Sequence, residues 1–142
     1  MTQLVKDVMT AGVLTLPPEA SLVEAARLMR DMDVGDVLVA DSDRLLGMLT
    51  DRDIAVRSVA MGHNPHVMPV RSVCTPDVLT VRPDADASQA MRAMREHGVR
   101  RLAVVEDDGH PVGVVSLGDL ARAREPGSAL AGISAAPPNN GA

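Results

Sequence analysis

The chain has 142 residues, enough for one compact domain of ordinary size that buries roughly two-thirds of its unfolded surface. Its apolar fraction is 46% with no Phe, Trp or Tyr, so the core must be built from aliphatic side chains and the nine methionines, and no base can stack on an aromatic ring. A net charge of -5 also argues against a nucleic-acid binder, and the single cysteine, Cys74, excludes a disulfide within the chain and points to a reducing cytoplasm. Met1 to Val8 does not read as a signal peptide, and no apolar run reaches the length of a membrane span, so no membrane partner is expected.

Taken in order, the chain repeats itself at an offset of 65. Val5-Lys6-Asp7-Val8-Met9-Thr10 overlays Val70-Arg71-Ser72-Val73-Cys74-Thr75, and Val13-Leu14-Thr15 overlays Val78-Leu79-Thr80. Val13 to Leu16 is an extended run closed by Pro17-Pro18. Ser21 and Glu24 form a capping box for a helix whose stripe carries Leu22, Ala25, Ala26, Leu28, Met29 and Met32. The second copy has Asp86 and Gln89 at the cap and Ala87, Ala90, Met91 and Met94 on the stripe. Gly98 is placed as a helix C-cap, a task that Asp33-Val34-Gly35 performs in the first copy. A buried strand follows (Val37 to Ala40; Leu102 to Val105), then an acidic turn and a second strand. One added residue near Gly109-His110 moves the offset to 66. The repeat therefore reads as a duplicated unit of mixed helix and strand, class α+β, with a β-α-β-β-α order and pseudo-twofold symmetry. The boundaries read as 1–62 for the first repeat, 63–69 for a linker, 70–124 for the second repeat and 125–142 for a flexible tail.

Each repeat ends in a motif that runs from glycine through an apolar strand to a hydroxyl residue and an Asp three positions on: Gly47 to Asp53 and Gly113 to Asp119. Strand, tight turn and helix start follow one another, with Ile54 to Ala60 and Leu120 to Arg124 read as the helices. A helix start presents unpaired N–H groups and favours anions. Thr50 with Asp53, and Ser116 with Asp119, also have the spacing of capping boxes, which satisfy the helix without any ligand. His63 and His66 lie in a connector without carboxylates or thiols nearby and read as solvated, so no metal site is expected. Cys74 matches Met9 in an apolar segment and reads as packed and inert, and no histidine has an acid–base partner. No catalytic residue is assigned.

The opening Val-Lys-Asp-Val-Met-Thr, the Ser-Leu-Val-Glu-Ala-Ala helix, the Gly-Val-Arg-Arg-Leu-Ala-Val-Val strand and the duplicated glycine-to-aspartate motif together resemble a tandem pair of cystathionine beta-synthase (CBS) domains over about residues 5 to 124. That resemblance implies a non-enzymatic, stand-alone regulatory module, with an adenosine-containing ligand held in an inter-repeat cleft, energy sensing as its role, assembly as a homodimer and signalling to an unknown regulated protein. It assigns ribose hydroxyls to Asp53 and Asp119, ribose or phosphate to Thr50 and Ser116, and the base to segments containing Val13, Thr15, Val78 and Thr80. A carboxylate that accepts hydroxyl hydrogen bonds contributes roughly 1.5–3 kcal/mol. Arg52, Arg100 and Arg101 are candidates for phosphate, because guanidinium recognises it bidentately, with a solvated surface pair as the alternative reading of Arg100-Arg101. Gly118 stands in the second motif where Arg52 stands in the first. Gly35-Asp36 stands where Arg100-Arg101 stands in the second copy, so the two sites are not equivalent. No cofactor is required, and AMP, ADP, ATP or another adenosyl compound is the candidate ligand. A structural or protein-interaction module that has lost nucleotide binding is the competing expectation.

Overall fold

The computed structural model describes residues 3–124, so the expected tail at 125–142 lies outside the described residues. The described residues form two compact units, one from residues 3–12 and 79–124 and one from residues 13–78. Each is a four-stranded sheet with helices, and each is completed by the first segment of the other repeat.

In the unit spanning 13–78, strands β2 (Thr15–Leu16), β3 (Asp36–Asp41) and β4 (Arg44–Thr50) come from the first repeat, and β5 (Thr75–Pro76) opens the second. The order is β2-β3-β4-β5, with β2 parallel to β3 and the other pairs antiparallel. In the other unit, β1 (Thr10–Ala11) follows the short helix α1 (Val5–Val8) and pairs with β8 (Pro111–Ser116). Beyond β8 lie β7 (Arg101–Val105) and β6 (Thr80–Val81), which gives the matching order β1-β8-β7-β6. The duplication extends to a bulge at Val39/Ala40 in β3 and at the equivalent Val104/Val105 in β7.

Helix α2 (Leu22–Met32) starts at the expected capping box: Ser21 Oγ accepts from Glu24 N–H at 3.1 Å, and the Glu24 carboxylate accepts from Ser21 N–H at 3.4 Å. It ends at Asp33 in the left-handed conformation, φ 54°. Leu22, Ala25 and Met29 pack against Val37, Val39 and Leu49, with Val70, Val73 and Cys74 from the incoming segment closing the core. Ala26 and Met32, expected on the buried stripe, are exposed because the stripe narrows to a single i, i+3, i+7 row. Helix α4 (Ala87–His97) buries Ala87, Ala90 and Met94 in a core that includes Val5 of α1, Leu102, Val104, Val115 and Leu120. Its cap is made through Ser88 instead of the expected Gln89: Asp86 Oδ1 accepts from both the Ser88 N–H and hydroxyl at 2.8 Å. Gly98 closes α4 in the left-handed conformation.

The connector after the first motif packs on its own unit. The carbonyls of Met68 and Pro65 accept the first two N–H groups of α2, from Leu22 and Val23, at 3.0 and 3.2 Å. Half-buried Met68 joins the core. The helix expected at Ile54 to Ala60 is irregular. This element, α3, is α-helical at Asp51–Asp53, π-helical at Ile54–Ser58 and 3₁₀ at Val59–Met61. The N–H of Val59 is shared between the carbonyls of Ala55 and Ile54, which widens the turn there. Ser58 is fully buried in that turn, and its hydroxyl meets no partner among the described residues. The equivalent helix after β8 is α5 (Leu117–Arg124).

Candidate functional site

Both motifs form complete capping boxes. Thr50 N–H donates to Asp53 Oδ2 at 2.9 Å while Asp53 N–H donates to Thr50 Oγ1 at 3.1 Å. Ser116 and Asp119 repeat the two bonds at the same distances. The next N–H in each copy, from Asp51 or Leu117, donates to the carbonyl of Gly35 or Arg100, at 3.0 and 2.9 Å. That bond ties the start of the motif helix to the residue just before the neighbouring strand. Strand register then sets Asp36 opposite Thr50 and Arg101 opposite Ser116.

Similar backbones carry opposite charge. In the first copy, Asp51 Oδ1 accepts the Arg52 N–H at 2.8 Å, and a Cβ at Gly35 would lie 3.2 Å from Asp51 Oδ2. The Arg52 side chain is exposed. The first motif and the start of its paired strand thus carry Asp36, Asp51 and Asp53 together with Arg52 and Arg57. In the second copy Leu117 stands in the place of Asp51, and among the described residues no side-chain acceptor meets the Gly118 N–H. The corresponding stretches of the second copy carry Arg100, Arg101 and Arg122, with Arg101 opposite Ser116 and Arg122 paired with Asp119.

The arginines one turn beyond each aspartate are the residues that motif reading missed. Asp53 Oδ1 lies 3.8 Å from Arg57 Nε, and Asp119 Oδ1 accepts from Arg122 Nη2 at 2.5 Å. Their i+4 and i+3 spacing from the motif aspartates is the signal that could have identified them. Among the described residues Asp119 is one of two buried polar ones, with a side chain 6% exposed against 14% for Asp53. A carboxylate so enclosed requires a charged or hydrogen-bonding partner at each oxygen.

The segments expected to border a base reach the same sheets. Thr15 pairs with Leu38, two residues beyond Asp36, so parallel register sets Val13 level with Asp36 and the Thr50 end of β4. Thr80 pairs with Ala103, two residues beyond Arg101. Thr15 and Thr80 are exposed, and Val13 and Val78 are half-buried. Val78 is the last residue of the 13–78 unit, whereas Thr80 belongs to the other. Thr80 lines a hollow of about 350 Å³ together with Val81, Arg82, Asp84, Ala85 and Gln89, near the size of small-ligand pockets; Ser116 and Asp119 are not in its wall. Arg82 pairs there with Asp84 at 3.0 Å and also with Asp107, and the Arg82 hydrogen bond lowers the pKa of the Asp84 carboxyl.

Cys74 sits beside the first motif. Burial first, and the Asp53 charge second, push its thiol above the ordinary value. Among the described residues, no group of three or more His, Cys, Asp or Glu is arranged to hold a metal ion, and no helix is long and apolar enough to cross a membrane.

Two exchanged-segment units, each carrying a hydroxyl–aspartate motif at a strand-to-helix turn, define a tandem pair of related domains. The chain belongs to the CBS domain family, whose model matches residues 5–59 and 70–126. It is similar to the CBS domain-containing protein YhcV of Bacillus subtilis, with 41% identity over 134 residues, 92% of this chain and 94% of the relative. Among solved structures it resembles Hypoxic Response Protein I with two coordinated zinc ions, at TM-score 0.75 and 34% identity, over 84% of this chain and 98% of that one. A relative of that name, Hypoxic response protein 1 of Mycobacterium tuberculosis, is 36% identical over 82% of each chain. The CBS domain pair of protein MJ0100, in complex with 5′-methylthioadenosine and S-adenosyl-L-methionine, has TM-score 0.78 over 87% of this chain and 96% of that one; at 24% identity it speaks for the fold alone.

Proposed function

We propose that this chain is a regulatory module that binds an adenosine-containing ligand, with the second-repeat motif as its working site. The observation that carries this reading is the contrast in charge between the motifs: Arg101 stands opposite Ser116 and Arg122 pairs with the buried Asp119, whereas Asp36 stands opposite Thr50 and Asp51 follows it. In the working site Asp119 accepts from ribose hydroxyls, Ser116 meets ribose or phosphate, Thr80 borders the base, and Arg100 with Arg101 attracts phosphate. Asp53, Thr50, Arg52, Val13, Thr15 and Val78 take the equivalent positions in the weaker first site. The ligand is AMP, ADP, ATP or another adenosyl compound, a chemistry that the fold accommodates in MJ0100. Binding shifts the shape or assembly of a cytoplasmic, non-catalytic homodimer, and contact with a regulated protein carries the signal, in the manner of an energy sensor.

A second reading, an interaction module that binds no nucleotide, is favoured by the closed capping boxes and by the arginine at each remaining carboxylate oxygen. Titration calorimetry against AMP, ADP, ATP, S-adenosylmethionine and NAD separates the two. We expect saturable heat that Asp119→Ala weakens roughly ten- to a hundredfold, equivalent to about 1.4–2.8 kcal/mol, and that Asp53→Ala changes far less. No heat with any ligand, from folded protein free of nucleotide, would establish the interaction module.

A further inference from the structure

The motif aspartates divide their oxygens between two tasks. Oδ2 closes the capping box, and Oδ1 faces an arginine of the same helix. On an open helix surface such an ion pair contributes little. Asp119 is not on an open surface: its side chain is 6% exposed, while that of Arg122 is 40% exposed. The carboxylate therefore depends on the guanidinium for its balance of charge, whereas the guanidinium also has solvent.

A ribose diol that binds Asp119 takes Oδ1, the oxygen that the helix does not use. Arg122 is then left without its partner, and a ligand that carries its own anion supplies a replacement. The planar fork that meets a carboxylate meets a phosphate equally well. We propose that Arg122 is a specificity-determining residue of the second-repeat site, which neutralises Asp119 in the free protein and transfers to the phosphate when ribose takes Oδ1. This rests on the ligand reading above and adds a selection rule: the site prefers a phosphorylated nucleoside to the bare nucleoside. The first copy is not built for the exchange. Arg57 stands 3.8 Å from Asp53, and its Nη1 donates to the Val73 carbonyl at 3.4 Å.

The test is calorimetric titration of wild type, Arg122→Gln and Arg122→Lys with AMP and with adenosine. Glutamine keeps an N–H donor for Asp119 and removes the charge; lysine keeps the charge. Wild type is expected to bind AMP at least about tenfold tighter than adenosine. Arg122→Gln should reduce that ratio about tenfold by weakening AMP alone, with adenosine affinity held within about threefold, and Arg122→Lys should retain most of the preference. Equal losses for both ligands in Arg122→Gln would make Arg122 a structural residue and overturn the proposal, as would an unchanged ratio. If the glutamine variant does not fold, the wild-type ratio decides: equal affinities overturn the proposal, and a preference retained in Arg122→Lys supports it. Wild-type protein that binds neither ligand overturns the proposal, and the ligand reading falls with it only where ADP, ATP, S-adenosylmethionine and NAD also give no heat.

Discussion

At Gly113 an added Cβ would stand 2.8 Å from the Thr10 carbonyl oxygen and 2.8 Å from Met9 Sδ; at Gly47 it would stand 2.7 Å from the Thr75 carbonyl oxygen and 2.8 Å from Cys74 Sγ. A thioether can swing aside, but a carbonyl within a strand pairing cannot. The glycine that opens each motif is thus required by the strand arriving from the other repeat, Thr10–Ala11 or Thr75–Pro76. Gly113→Ala should cost about 1–3 kcal/mol of overpacking strain, read as a lower urea midpoint. Ligand affinity in the protein that remains folded should be unchanged. The motif aspartates were legible as residues but not as ion pairs. Capping-box spacing is a three-residue pattern, while Arg57 and Arg122 become visible only once the helix is drawn onward from the aspartate and the burial of Asp119 is known.

Among the elements, α2 and α4 were the most legible, because an N-cap residue, an apolar stripe and a left-handed terminator are present in each copy, although Ser88 replaces Gln89 at the second cap and Ala26 and Met32 fall outside the first stripe. Helix α3 was not. Its apolar spacing suits a regular helix, yet the buried Ser58 and the reach of Arg57 to both Asp53 and the Val73 carbonyl hold it in a wider turn. The contact with Val73 depends on the incoming segment, which no local window contains. The same irregular helix leaves Val56, Val59 and Met61 at 49%, 62% and 68% exposure. A cluster of large aliphatic side chains on one element is a natural self-association surface. Light scattering at micromolar concentration should give the mass of two chains, and Val59→Glu should shift it toward one. A mass of one chain for the wild type would refute the dimer.

Over the whole molecule, duplication was readable from the offset of 65, down to paired residues such as Val13 and Val78, but the exchange of opening segments was not. Pairing Thr10 with Val114 and Ala11 with Gly113 joins residues about a hundred positions apart, and hydrophobic periodicity reports only neighbours. Val5 is nevertheless fully buried among Ala87, Ala90 and Leu102, and its N–H donates to the Ala85 carbonyl at 2.8 Å. Removal of residues 1–12 should therefore raise amide exchange in α4 and β8, the elements of the second repeat, and leave residues 13–78 comparatively protected. Faster exchange confined to the first repeat would contradict the segment exchange.

The exchange also orders events on the ribosome. Residues 13–78 are contiguous, so that unit has all its strands once Val78 has emerged. The other unit is split between the first and last parts of the chain. The strand at Thr10–Ala11 is synthesised before the 13–78 unit yet finds its partner only after β8 has been translated. That strand thus stays unpaired while residues 13–78 are made and fold behind it.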